Sequence, residues 1–230
     1  MSLTFRGGAA ALVLSTLMLA GCATTPPVPA APSGTPTPEE PAMQLAATWL
    51  DAGRMIGLVT WGSSSCVPTA GEATADGQEI TVTLVDPQAE ACTADLAPRA
   101  SEVAVPAGVD PTQPVTVHLT YLDQTADLTL AGDQRLSGTP GEPTDYQSTA
   151  GWYDDNGIVL LTWGSSTCRP IVSDLEETAD ALTVTFAAQD GPCTMDMAPR
   201  TTMLYVEQAG RDRELTLVGD NLNATIPILG

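Results

Sequence analysis

Apolar and hydroxyl side chains alternate with period two in several short windows of this chain. Ile80-Thr-Val-Thr-Leu84, Val115-Thr-Val-His-Leu119 and Leu182-Thr-Val-Thr-Phe186 each place every second side chain on one face, the signature of a half-buried strand. Leu128-Thr-Leu130 and Leu215-Thr-Leu217 repeat the pattern, and Met203-Leu-Tyr-Val206 is rich in strand-forming residues. Asp155-Asn156-Gly157, just ahead of Ile158-Val-Leu-Leu161, reads as a hairpin turn. One short stretch, Met43 to Leu50, has a helix-compatible pattern. The windows are separated by Gly, Pro and Asp turns, so the pattern predicts an all-β protein built as sandwiches or barrels.

The alternation occurs twice because the sequence does. Residues 49–68 read WLDAGRMIGLVTWGSSSCVP and residues 152–170 read WYDDNGIVLLTWGSSTCRP. Ile80-Thr-Val-Thr-Leu84 then matches Leu182-Thr-Val-Thr-Phe186. Cys92-Thr93-Ala94-Asp95-Leu96-Ala97-Pro98-Arg99 matches Cys193-Thr194-Met195-Asp196-Met197-Ala198-Pro199-Arg200. Three ordered blocks at an offset that stays near 102 mark a tandem duplication. It divides the chain into a β domain at 43–131, a polar Gly/Pro/Ser-rich linker at 132–150 and a second β domain at 151–230. Each copy holds two cysteines after the first 22 residues. Because each copy must once have folded alone, the expected disulfides are Cys66–Cys92 and Cys168–Cys193. The expectation is therefore two tandem small β-sandwich or β-barrel-like domains, each with one intradomain disulfide.

The amino terminus adds an address. Arg6 precedes an apolar run from Ala9 to Ala20, too short to span a bilayer but laid out as an export signal. Leu19-Ala20-Gly21-Cys22 resembles the lipobox of bacterial lipoproteins. That resemblance implies a signal peptide at 1–21, diacylglycerol and acyl (palmitate-type) modification of Cys22, and anchoring on the extracytoplasmic side of the cell membrane. Two acyl chains suffice for stable attachment where one does not. Residues 22–42 follow as a proline-rich tether that lacks the side chains for a core. The Trp-Gly-Ser-Ser-[Ser/Thr]-Cys repeats further resemble those of other exported lipoproteins, a resemblance that brings no activity with it.

Composition narrows the partners. The formal charge is −20 and every basic residue is arginine, so the surface repels nucleic acid and anionic headgroups. The membrane, through the anchor, and an envelope protein, peptide or glycan remain as expected partners, with no cofactor and no metal. Zinc would need more ligands than two cysteines per copy, and His118 has no counterpart in the second copy. Asp154-Asp155-Asn156-Gly157 lacks the ligand spacing of a calcium loop, since Trp152 stands where an oxygen is required.

Three features carry candidate chemistry. Trp61, Ser63 and Ser64, with Trp163, Ser165 and Ser166, could offer an aromatic platform and hydroxyl donors to a ligand; as scaffold, the same residues would turn and pin a loop. Arg99 and Arg200 could bind an anion, or pair with Asp95 and Asp196 across a bend set by Pro98 and Pro199. A serine nucleophile would need a base, and His118 is the only histidine. No catalytic residue is assigned. The sequence thus implies a lipid-anchored binding or structural protein, with two alternatives: an envelope hydrolase working through carboxylates, and a transporter-associated ligand-binding lipoprotein.

Overall fold

The structure is a computed structural model that describes residues 43–89, 91–208 and 210–230. The signal, Leu19-Ala20-Gly21-Cys22 and the tether at 22–42 lie outside the described residues. Copy 1 contributes β1 (Leu45–Leu50), β2 (Met55–Gly62), β3 (Thr69–Ala70), β4 (Thr74–Asp76), β5 (Glu79–Val85), β6 (Ala97–Ala104), β7 (Val115–Tyr121) and β8 (Gln124–Leu130). Copy 2 contributes β9 (Thr149–Trp152), β10 (Gly157–Gly164), β11 (Ile171–Glu177), β12 (Ala181–Ala187), β13 (Ala198–Tyr205), β14 (Glu214–Val218) and β15 (Ala224–Leu229). The only helical element described is a 3₁₀ turn at Asp51–Gly53. The fold is all-β, and the alternating windows behave as written. β5 and β12 bury Ile80, Val82, Leu84 and Leu182, Val184, Phe186, while the threonines between them face outward.

Met43 to Leu50 departs from its helix-compatible pattern, because strand pairing decides its conformation. β1 runs antiparallel to β2, from Leu45 opposite Thr60 to Leu50 opposite Met55. Leu45, Ala47 and Trp49 then face the core of copy 1, and Ala46 and Leu50 face a different interior. A helix would scatter those residues around its axis and leave β2 without a neighbour on that side.

Both copies share a plan. A three-stranded antiparallel set, β1-β2-β6, corresponds to β9-β10-β13, and a parallel pair, β5 with β7, corresponds to β12 with β14. In copy 2, β15 pairs in parallel with β9 and joins everything into one sheet, β11-β12-β14-β15-β9-β10-β13. One apolar cluster receives side chains from all seven strands, so this sheet curls around it. In copy 1, β8 does not ladder with β1. The indole Nε1 of Trp49 instead donates to the carbonyl of Ala131 at 2.7 Å.

The expectation of two separate sandwich or barrel domains is altered by a third interior. Leu50, Met55, Val59 and Ala100 of copy 1 meet Val159 and Leu161 of copy 2. β1 lies against β9 and β6 against β13, each strand meeting its own counterpart. Thr201 Oγ1 donates to the carbonyl of Ala100 across that contact at 2.9 Å. Gly57 and Gly151 permit it. A Cβ on Gly57 would stand 3.2 Å from the Val159 side chain, and one on Gly151 would collide with the Thr48 hydroxyl. β2 and β10 are consequently buried on both faces, alternate residues serving the copy's own core and the shared one. The described residues fall within one compact unit.

Residues 132–150 are held against this body. Leu136 is buried in the core of copy 1, and Gly138 N donates to Ala52 O at 2.8 Å. Arg54 pairs with Asp145, and Thr144 donates to Asp51, whose carboxyl burial raises above its ordinary pKa.

Candidate functional site

Disulfides join Cys66 to Cys92 and Cys168 to Cys193 across 26 and 25 residues. Closing loops of that length is worth about 3 kcal/mol each by the chain-entropy model. The disulfides bring the Trp-Gly-Ser-Ser loop of each copy beside its Cys-Thr-x-Asp loop.

The serines serve this junction. Ser63 Oγ lies 2.8 Å from Thr93 Oγ1, and Thr93 N donates to Ser65 Oγ at 3.0 Å. Thr93 Oγ1 in turn donates to Asp95, which also accepts from the backbone N–H of Ser64 at 3.2 Å. Copy 2 repeats the arrangement. Ser165 Oγ lies 2.8 Å from Thr194 Oγ1, Ser166 N donates to Asp196 at 3.1 Å, and Thr194 Oγ1 donates to the same carboxylate. The neighbouring hydroxyls favour the ionised form, so Asp95 and Asp196 are each lowered to a pKa of about 2, Thr93 and Thr194 being the largest causes. Such carboxylates are poor general bases at neutral pH.

A titration follows from this. A carboxyl whose folded pKa lies below its unfolded value stabilises the fold above the unfolded value, and that contribution is lost as pH falls through the folded one. Carboxyl NMR signals of Asp95 and Asp196 are expected to titrate near pH 2 rather than near 4, with both loops intact at pH 4. Midpoints at 3.5 or above would rule out this hydrogen-bonded cluster.

Arg99 and Arg200 correct the expected ion pairs. Neither meets Asp95 or Asp196, because those carboxylates are already committed to the hydroxyl loops. Nor do Pro98 and Pro199 impose a bend. They sit inside β6 and β13, opposite Trp61 and Trp163, on edge strands, where a sheet tolerates proline. Each guanidinium instead turns inward beneath the loop. Arg99 donates to the carbonyls of Cys66 and Ser63, to Thr60 Oγ1 and to Tyr121 OH. Arg200 donates to Cys168 O at 2.8 Å and Trp163 O at 3.0 Å. Gly62 and Gly164 suit this packing, since a Cβ would lie 2.6 Å and 2.8 Å from the respective guanidinium carbon and the arginine would have to shift. The glycine of the repeated motif makes room for the arginine.

Trp61 and Trp163 are half-buried at the rim of the shared interior. Trp61 stands edge-on to Tyr153 of copy 2, and Trp163 edge-on to Tyr146. Each also walls a pocket of its own copy. That of copy 1, about 400 Å³, is lined by Trp61, Met43, Leu96, Tyr121 and Leu122 among others. That of copy 2, about 330 Å³, is lined by Trp163, Ser165, Gln189, Arg200, Asp220 and Leu222 among others. Tyr121, Asp86, Gln189 and Asp220 were not singled out from the sequence.

His118 lies on the outer face of β7, its Nδ1 2.8 Å from Asp127 Oδ1 and its Nε2 3.9 Å from Glu79. Asp154 accepts the backbone N–H groups of Asn156 and Gly157 and so closes the β9–β10 turn. No family model, curated protein or solved structure matches the chain.

Proposed function

We propose that this chain is an exported lipoprotein, attached through Cys22 to the extracytoplasmic face of the membrane, which presents a duplicated β body for binding. The observation that carries the reading is the combination of a lipobox-like Leu19-Ala20-Gly21-Cys22 with two disulfides that use every other cysteine. Disulfides persist in oxidising compartments outside the cytoplasm, and Cys22 is the thiol left over for acylation. The Pro-rich segment at 22–42 then spaces the body from the lipid.

The finer domain reading is that each copy descends from a barrel-like module that paired with itself, strand against like strand, before fusion. Such like-on-like contact is how a two-fold dimer interface is built. Binding is favoured over catalysis by the state of the polar groups. The loop carboxylates are held ionised, and His118 is engaged by acids rather than by a hydroxyl nucleophile. Among the described residues, the acids raised by burial are Asp51, 3% exposed beneath Arg54 and Thr144, and Glu102 on β6 facing Arg169. A carboxylate hydrolase sets a raised acid and an ionised carboxylate on either side of its substrate, whereas Asp51 is buried and shares Arg54 with Asp145, and Glu102 faces Arg169. Pockets beside Trp61 and Trp163 support ligand binding within each copy.

Mass spectrometry of membrane-extracted protein is expected to find diacylglycerol on Cys22 and a mature chain that begins there. A Cys22→Ser variant is expected to leave the membrane fraction. Full-length, unmodified chain in the soluble fraction would refute the anchor.

A further inference from the structure

The two copies solve the same problem differently around their buried arginine. In copy 1, Tyr121 ends β7, and its ring lies 5.9 Å from the guanidinium carbon of Arg99. Its hydroxyl accepts from Arg99 Nη2 at 2.7 Å and donates to Asp86 Oδ1 at 2.6 Å. A phenol thus bridges a cation and a carboxylate, and Arg99 is covered.

The strand registers identify the residue that stands in Tyr121's place. Ile80 is opposite Val117 in the parallel pair of copy 1, and Leu182 is opposite Leu215 in that of copy 2. Val117 therefore corresponds to Leu215, Leu119 to Leu217, and Tyr121 to Gly219. The turns that follow agree. Leu122 and Asp123 have φ of 48° and 62°, and Asp220 and Asn221 have 47° and 60°. Copy 2 accordingly has no phenol over its arginine, and Arg200 lines an open pocket of about 330 Å³. That volume falls at the lower end of small-ligand sites.

The copy 2 pocket also joins a guanidinium to a carboxylate, although by the same register Asp220 stands where copy 1 has Leu122, and Ala188 stands where it has Asp86. Arg200 is as buried as Arg99, 8% against 7% exposed, but makes two hydrogen bonds where Arg99 makes four, and its Nε is buried without a partner. Asp220 lies on the same pocket, near enough to act on Arg200 electrostatically yet outside ion-pair distance. Gln189 holds that carboxylate at 3.5 Å. Trp163 and Leu222 supply apolar walls. A group that both accepts from a guanidinium and donates to a carboxylate satisfies both sides, whereas an anion would face Asp220 and a hydrocarbon would leave both charges unmet.

We propose that the pocket of copy 2 binds a phenolic ring, its hydroxyl lying between Arg200 and Asp220 as that of Tyr121 lies between Arg99 and Asp86. The proposal deepens the binding reading above by naming the ligand class, and it is independent of the lipid at Cys22. Free phenols and the tyrosine of an exposed peptide share this chemistry.

The test is NMR titration of the full chain, following the Trp indole N–H and Arg Nε–H signals. The probes are 4-methylphenol, toluene, and the tripeptides Gly-Tyr-Gly and Gly-Phe-Gly. Saturable shifts at Trp163 and Arg200 are expected with 4-methylphenol, Gly-Tyr-Gly or both. The more tightly held of the two identifies the source. Toluene and Gly-Phe-Gly are expected to bind about tenfold more weakly, the size of one hydrogen bond to a charged group. Asp220→Asn keeps a residue suited to that left-handed turn and is expected to weaken phenol binding by a similar factor. Trp61 should show no preference for 4-methylphenol over toluene in the native chain, where Tyr121 already holds Arg99, and should acquire one in Tyr121→Ala. Absent shifts, equal binding of the hydroxyl-free probes, or unchanged affinity in Asp220→Asn would each overturn the proposal.

Discussion

Leu161→Ala is expected to destabilise both copies together, by about 4 kcal/mol, the middle to upper range for truncating a fully buried leucine. Leu161 is wholly buried, and its side chain enters the interior shared between the copies rather than the core of copy 2. The cavity therefore opens against Leu50, Met55, Val59 and Ala100 of copy 1 as much as against Val159. β2 and β10, the central strands of that contact, also carry Ile56, Leu58, Ile158 and Leu160 into the separate cores. Loss at the interface thus weakens support for both cores at once. In urea the wild-type chain should unfold in one transition. Hydrogen exchange should show β5 in copy 1 and β12 in copy 2 losing protection equally in the variant, with the same opening free energy. Two transitions, or protection lost in copy 2 alone, would show that the copies are independent.

The second large effect belongs to Arg99. Replacement by methionine is expected to cost about 4 kcal/mol, since it strips the carbonyl of Cys66 and the hydroxyl of Tyr121 of a charged donor inside the protein. Arg200→Met should cost clearly less, about 2 kcal/mol, because that side chain makes only two hydrogen bonds and already carries a buried, unpaired Nε. Denaturant midpoints of the two single variants decide the matter. Equal losses would mean that Tyr121 adds nothing to the hold on Arg99. The comparison is informative because the two arginines occupy equivalent positions of the repeat, below equivalent loops and beside equivalent glycines.

Much of the fold was legible in short windows. Period-two alternation placed β5, β7, β12 and β14, and the register of the repeat chose the disulfide partners. Legibility failed where a residue's role depends on something distant. Leu45–Leu50 has no strong local preference and became a strand because β2 offered an edge. The continuous apolar runs Met55–Val59 and Ile158–Leu161 carried the signal of strands buried on both faces, yet such a run does not name what covers the second face. Asp95 and Arg99 stand close in sequence and look like a pair. The loop hydroxyls captured the acid and the interior captured the base.

The sequence by itself determined the strand pattern, the duplication and the way its four later cysteines join, and it carries the lipobox-like ending of an export signal. These properties rest on local periodicity and on covalent closure within one copy, both contained in short stretches of chain. The tertiary structure alone decided that the two copies share an interior, that each motif glycine makes way for a guanidinium, and that a tyrosine covers one arginine while the other faces an open pocket. Those depend on which distant side chains arrive at one place. Burial and unmet hydrogen-bonding groups select that arrangement, and no window of sequence contains it.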